Sequence, residues 1–157
     1  MSNGAVRSKP YVRQADFSDC FELAPRLRKE DVQEIKYASG SSPQVALEMS
    51  YNASDECWAV IYEDRVIALF GVCRQNDWGV PWMLASDELK DIRKSFLREC
   101  REYVQKMGEG CRYLTNFVWI GNEVHIKWLH WLGFKFLEPV EYGISNMLFR
   151  QFYMEFR

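Results

Sequence analysis

The run NEVHIKWLHWLGF, residues 122–134, can fold in few ways. Asparagine opens it, glycine nearly closes it, and Trp128, Leu129 and Leu132 recur between them at helical spacing, so the pattern predicts a short helix with one apolar stripe. The Asn122 side chain can cap the first turn or reach across to a ligand, and Gly133 can take the left-handed conformation that ends a helix. An apolar run at 113–120 precedes this helix and 135–137 follows it, which makes a strand, a helix and a strand in succession. The first of these strands reads as one buried on both faces.

The remaining segments follow from periodicity and turn chemistry. Asp16 before Phe17, Phe21, Leu23 and Ala24 predicts a short helix capped by Asp16 and ended near Pro25. Val32 and Ile35 predict a helix over 30–37 that closes at Ser39 and Gly40, and another over 43–49 starts on Pro43, where a missing N–H costs nothing. Two β-branched runs, 57–62 and 65–73, flank Glu63 and Asp64 and predict a hairpin, although its turn lacks the usual glycine. Residues 75–79 read as a loop and 80–84 as a strand in which Pro81 implies an edge or a bulge. Leu89, Ile92, Phe96, Cys100, Tyr103, Val104 and Met107 form the strongest amphipathic helix, ended by Gly108 and Gly110, and alternation over 147–156 marks the last strand. This order predicts an α+β fold, a mixed sheet with helices on its faces, over 11–157, behind a disordered N-terminal segment at 1–10.

Composition narrows the function classes. With 48% hydrophobic residues among 157, the chain can bury one core and is short for two. A formal charge of -2 argues against a nucleic-acid partner held through many phosphates. The five cysteines are an odd number without a Cys-x-x-Cys pair, which suits reduced core residues in a cytoplasmic chain. Two histidines five apart, with no cysteine or carboxylate at ligand spacing, make a metal site improbable. Residues 1–10 lack the apolar core of a signal peptide, and no apolar run approaches the roughly eighteen residues of a membrane span.

Particular residues carry a resemblance. Asn122, His125 at the third position after it, then Leu132, Gly133 and Phe134 resemble the fourth-helix motif of GCN5-related N-acetyltransferases (GNAT). The segment YVRQAD at 11–16 resembles that family's first strand and helix cap. Trp82, Leu84, Ala85, Ser86 and Asp87, with Asn116, Val118, Trp119, Gly121, Asn122 and His125, resemble the acetyltransferase-like internal virion proteins of short-tailed phages. The resemblance implies a mostly antiparallel sheet of six to seven strands with helices on both faces. It also implies acetyl-CoA as cofactor, with the strands ending near Leu84 and Ile120 diverging to leave a slot.

In that family the backbone of the strand before the long helix pairs with the pantetheine arm, which points to Met83, Leu84 and Ala85, with Trp82 as a wall and Asn122 at the mouth. The pyrophosphate lies at the start of the long helix, where Lys90, Arg93 and Lys94 can grip it. Two departures stand out. The small residues of the phosphate loop are replaced by Asp91 and Arg93, with Glu88 where a basic or amide residue belongs, and Leu129 occupies the position of the tyrosine acid. His125 is the best-placed residue to meet substrate, and His130 or Tyr142 could supply the missing proton. Glu56 and Asp77 are the available bases, with a water chain as the alternative.

Two functions follow. One is acetyl transfer from acetyl-CoA to a small amine. The other is a phage protein with a degenerate, non-catalytic version of the fold, acting in virion assembly or on a host protein. Its location would then be the host cytoplasm or the virion.

Overall fold

Two β-branched runs meet across Glu63 and Asp64, as their spacing predicts. They are β2 (Glu56–Tyr62) and β3 (Arg65–Gln75), paired antiparallel. Both turn residues sit at positive φ, 52° and 58°, the geometry of the tight hairpin turn that glycine normally serves. A left-handed conformation costs a residue with a Cβ about 1–2 kcal/mol. Asp64→Gly is therefore expected to raise stability by about 0.5–1 kcal/mol in urea unfolding; an unchanged midpoint would show that the aspartate already relieves the strain.

The computed structural model describes residues 9–156, so the expected loose segment at 1–10 lies outside the described residues except for Lys9 and Pro10. Strand β1 (Tyr11–Gln14) is followed by α1 (Ser18–Leu23), a 3-10 turn at Ala24–Arg26, α2 (Lys29–Ala38) and α3 (Pro43–Ala53). Asp16 does not cap α1 with its side chain. Instead the Asp16 N–H donates to the Asp19 carboxylate (2.7 Å), which also holds Arg13 at 2.8 Å. After β3 come β4 (Trp78–Ala85), a 3-10 turn at Asp87–Ile92, α4 (Arg93–Met107) and β5 (Tyr113–Trp119). The chain ends with α5 (Glu123–Leu132), β6 (Lys135–Phe136), β7 (Val140–Tyr142) and β8 (Met147–Glu155).

The fold is α+β. Among the described residues eight strands form one sheet in the order β1-β2-β3-β4-β5-β8-β6, with β7 also on β8, and only β4 and β5 pair in parallel. Because β6 meets β8 at Tyr153 and Phe152, and β7 meets it at Phe149 to Met147, the two lie end to end along one edge of β8. The strand beyond the expected six or seven is β7, three residues long and largely exposed, too short for alternation to announce it. Strands β3 and β4 also run longer than expected, leaving only Asn76 and Asp77 as the loop between them.

Helices cover both faces. On one, Cys20, Leu23, Ile35 and Leu47 from α1, α2 and α3 pack over Ala59, Ile61 and Leu69; on the other, Phe96, Cys100, Val104, Trp128 and Leu129 from α4 and α5 pack over Val60, Ala68 and Phe70. Strand β5 departs from the expectation of burial on both faces, since only Leu114 and Val118 are fully buried. On its other face Tyr37 of α2 meets Trp119, with ring centroids 5.1 Å apart, and Tyr142 covers Phe117 with rings stacked at 4.1 Å.

Candidate functional site: a slot between two splayed strands

The parallel pair β4 and β5 holds register only at Trp78 with Tyr113 and Gly79 with Leu114. The next position along β4 that faces β5 is Pro81, which has no N–H to give. Asn116 fills the gap from the other side, its Nδ2 donating to the Pro81 carbonyl (2.8 Å) while its Oδ1 accepts the N–H of Phe117 (2.7 Å). A side chain thus stands where a ladder rung would be. The expectation of an edge or a bulge at Pro81 is not met, because β4 lies inside the sheet and its register with β3 runs unbroken; Pro81 pairs with Val72 of β3, and its nitrogen, which carries no hydrogen, faces the splay.

Helix α2 keeps the strands apart. It grips the end of β4 through Arg28 N–H to the Ala85 carbonyl (2.8 Å) and Ala85 N–H to Asp31 Oδ2 (3.0 Å). It grips the end of β5 through Trp119 N–H to Glu34 Oε1 (2.9 Å). Since Pro81 and Ala85 turn their peptide groups toward β5, the alternation of a strand turns those of Met83 the same way, into the slot.

Asn122 is not among the residues that line the cavity and lies behind Glu34 instead. It caps nothing: its side chain is fully buried, with Oδ1 accepting from Arg28 (3.0 Å) and Nδ2 donating to Asp31 (3.2 Å) and Glu34 (3.3 Å). Arg28 pairs with Asp31 at 2.7 Å, which completes a buried network joining α2, β4, β5 and α5. Gly133, at φ 104°, ends α5 with Phe134 N–H returning to the Leu129 carbonyl.

Burial pushes the Glu34 carboxyl up to about 7, the charge of Asp31 adding to it and the N–H of Trp119 opposing it. Burial pushes His125 down to about 4, against the pull of Asp31, so the imidazole is neutral at pH 7. The site therefore offers a carboxyl that exchanges a proton near neutrality and a neutral imidazole.

Of the residues singled out from sequence, Trp82, Met83, Leu84, His125 and Tyr142 come together around one cavity. Trp82 is oriented by its indole N–H on Ser54 Oγ (2.7 Å), and Tyr142 sits between Phe117 and Phe149. Ala85 spends its peptide groups on α2, outside the cavity. His130 lies exposed beside Phe136, with ring centroids 6.4 Å apart, and does not reach the slot. Of the two bases considered, Glu56 pairs with Arg74 at 2.6 Å and Asp77 belongs to the turn between β3 and β4. The carboxyl that does line the cavity is Glu34, and sequence reasoning passed it over.

The start of α4 does not fit a pyrophosphate. Residues Asp87–Ile92 wind as a 3-10 turn, the Glu88 N–H is taken by Ser86 Oγ, and α4 begins only at Arg93. No glycine interrupts the chain from Ala85 to Met107, so no stretch there lets phosphate approach bare backbone. The Glu88 carboxylate is held by Arg26 (2.7 Å) and Arg65 (3.2 Å), fixing an acid where the resemblance calls for a base or an amide. Lys90, Arg93 and Lys94 are exposed around this turn.

Residues 56–142, more than half of the chain and spanning β2 to β7, match the family described as Bacteriophage T7, probable scaffold protein Gp13. The chain belongs to this phage Gp13 family. It is 31% identical over 96 residues to the probable scaffold protein gp13 of Escherichia phage T7, covering 59% of this chain and 67% of that protein. In fold, this Gp13-family chain is similar to N-acetyltransferases. The structure of an N-acetyltransferase from Staphylococcus aureus Mu50 matches with a TM-score of 0.68 at 15% identity, over 94% of this chain and 99% of that one. The spermidine N-acetyltransferase of Vibrio cholerae in complex with CoA and spermine gives 0.67 at 12% identity, over 93% and 95%. An acetyltransferase of the GNAT family from Streptococcus pneumoniae gives 0.64 at 12%, over 95% and 100%. At such identities the likeness establishes the GNAT fold. No helix among the described residues is long and apolar enough to cross a membrane.

Proposed function

We propose that this Gp13-family protein is a phage assembly component that uses an acetyltransferase fold to contact a phage or host protein, without transferring acetyl from acetyl-CoA. The observation that carries this reading is the segment after β4, a glycine-free 3-10 turn whose Glu88 is locked between two arginines where an anion would have to sit. Kinship with a probable scaffold protein supports it.

The decisive measurement is calorimetric titration with acetyl-CoA and with free CoA. No saturable heat and no thermal shift are expected even at millimolar ligand. Micromolar binding that disappears in Trp82→Ala would reverse the reading. In infection, a phage lacking the gene is expected to lose particle yield, and a His125→Asn, Tyr142→Phe double variant should restore it fully, because neither proton carrier is needed for assembly.

A second reading, transfer of acetyl to an amine, is favoured by the slot itself. The peptide groups of Met83 face into it, and Glu34 titrates close to neutrality beside it. If that reading holds, the double variant fails to restore yield and CoA binds.

A further inference from the structure

We propose that the open face of the sheet over β5 and β8 binds a neutral oligosaccharide, its pyranose rings laid on two tyrosines. This goes beyond the assembly role and stands independently of it. At the end of β5 away from Trp119 lies a groove of about 500 Å³, a volume usual for small-molecule sites, that shares no lining residue with the slot. Its floor is strand, with Tyr113 and Thr115 from β5 and Gln151, Tyr153 and Glu155 from β8. No helix contributes to it, since α1 to α3 pack over β2 to β4 and meet β5 at Trp119, its far end.

The register puts the aromatic groups on one face. Thr115 stands opposite Tyr153 and Tyr113 opposite Glu155, so the two tyrosines are diagonal neighbours, and Trp78 of β4 pairs with Tyr113 from the other side. Leu114, between the two lining residues of β5, belongs to the core under α4 and α5, which turns Tyr113 and Thr115 to the open face. Tyr113 is 40% exposed there. The C–H faces of a pyranose pack on such rings, and its hydroxyls then need donors and acceptors around the rim. Arg112 donates and Glu155 accepts, and no ion pair among the described residues joins the two. Thr115 Oγ accepts from Gln151 Nε2 (2.9 Å) and donates to the Phe152 carbonyl (2.9 Å), which orients Gln151 and leaves its Oε1 as a further acceptor.

The same residues turn other ligands away. Charges of both signs favour neither a cation nor an anion, and a nucleic-acid strand would lay phosphates against Glu155. An extended peptide finds no rung to pair with, because β5 is paired here with β4 and β8, and β8 with β5 and β6. A hydrocarbon chain would strip water from Arg112 and Glu155 and replace none of it. A hydroxylated ring satisfies both and covers the tyrosines.

Titration calorimetry of the full chain with cellotriose, maltotriose and the N-acetylglucosamine trimer tests this. At least one is expected to bind, about tenfold more tightly than its monosaccharide, since a second ring gains a second tyrosine. Tyr113→Ala and Tyr153→Ala should each weaken binding about tenfold, while Tyr113→Phe keeps the affinity. Adding about 0.5 M salt should change nothing, as for an uncharged ligand. Should the alanine variants fail to fold, the ring-proton resonances of the native protein decide: those of Tyr113 and Tyr153 should shift on titration and those of His125 in the slot should not. No heat from any of the three sugars at about 10 mM, affinity indifferent to both alanine variants, or a strong salt dependence would each overturn the proposal. So would shifts confined to the slot, or tighter binding of a basic peptide or an oligothymidylate than of any trisaccharide.

Discussion

Replacing Asp31 with alanine is expected to destabilise the protein by about 3–5 kcal/mol, a large part of the 5–15 kcal/mol typical of a whole domain. The carboxylate is 1% exposed and accepts from Arg28 (2.7 Å), Ala85 N–H (3.0 Å) and Asn122 Nδ2 (3.2 Å). Its removal leaves the Arg28 guanidinium in a buried place with only Asn122 Oδ1 to meet it, and leaves the Ala85 amide without an acceptor. An orphaned buried charge costs more than the pair contributes when intact. Urea unfolding measures the loss, and hydrogen exchange at Ala85 should quicken alongside. Replacing both partners, as in Arg28→Met with Asp31→Leu, should recover most of the stability. A single-variant loss under about 1 kcal/mol would mean that water takes the place of the carboxylate.

The second large effect is a pH dependence hidden by compensation. Glu34, raised from 4.5 to about 7, binds more protons in the folded than in the unfolded chain between those values, so its contribution to stability falls as pH rises through that window. His125, lowered from 6.5 to about 4, binds fewer protons when folded, so its contribution grows as pH rises from 4 to 6.5. Each is on the order of 3 kcal/mol, and they oppose one another over most of the same range. The native protein should therefore show a nearly flat stability profile between pH 4.5 and 6.5 from these two groups. Glu34→Gln removes one arm and should reveal a rise of about 2–3 kcal/mol toward pH 6.5. Profiles that are parallel in the two proteins would sink the assignment of Glu34 as the titrating group.

Much of the fold is legible in local pattern because local pattern is what sets it. The stripe through Phe96, Cys100 and Val104 faces one core, Gly133 ends α5 where its free φ is needed, and Pro81 marks the place where β4 stops pairing on one side. The site is less legible. Asn122 reads as a helix cap, since asparagine before an apolar stripe usually is one, yet the side chain turns inward to Arg28, Asp31 and Glu34, residues about ninety positions away in sequence. A hint was present in α2, where Asp31 stands four residues before buried Ile35 on the same helical face. An acid in an apolar stripe needs a partner, and periodicity alone does not say which.

His130 shows the limit from the other side. It is a proton carrier near the right motif, and one helical step turns it to solvent while Leu129 goes inward. Sequence by itself determined the types of the longer elements, the missing phosphate-loop glycines and the absence of a tyrosine at Leu129, because spacing and side-chain chemistry are properties of the chain; it did not reveal β7 or the 3-10 turn before α4. Tertiary structure alone decided that α2 wedges β4 from β5, that Glu34 becomes the carboxyl at the slot, and that Glu88 is held by Arg26 and Arg65. Those outcomes depend on which distant groups are brought within hydrogen-bonding reach in a place that water has left, where an unpaired polar group is costly enough to dictate the arrangement.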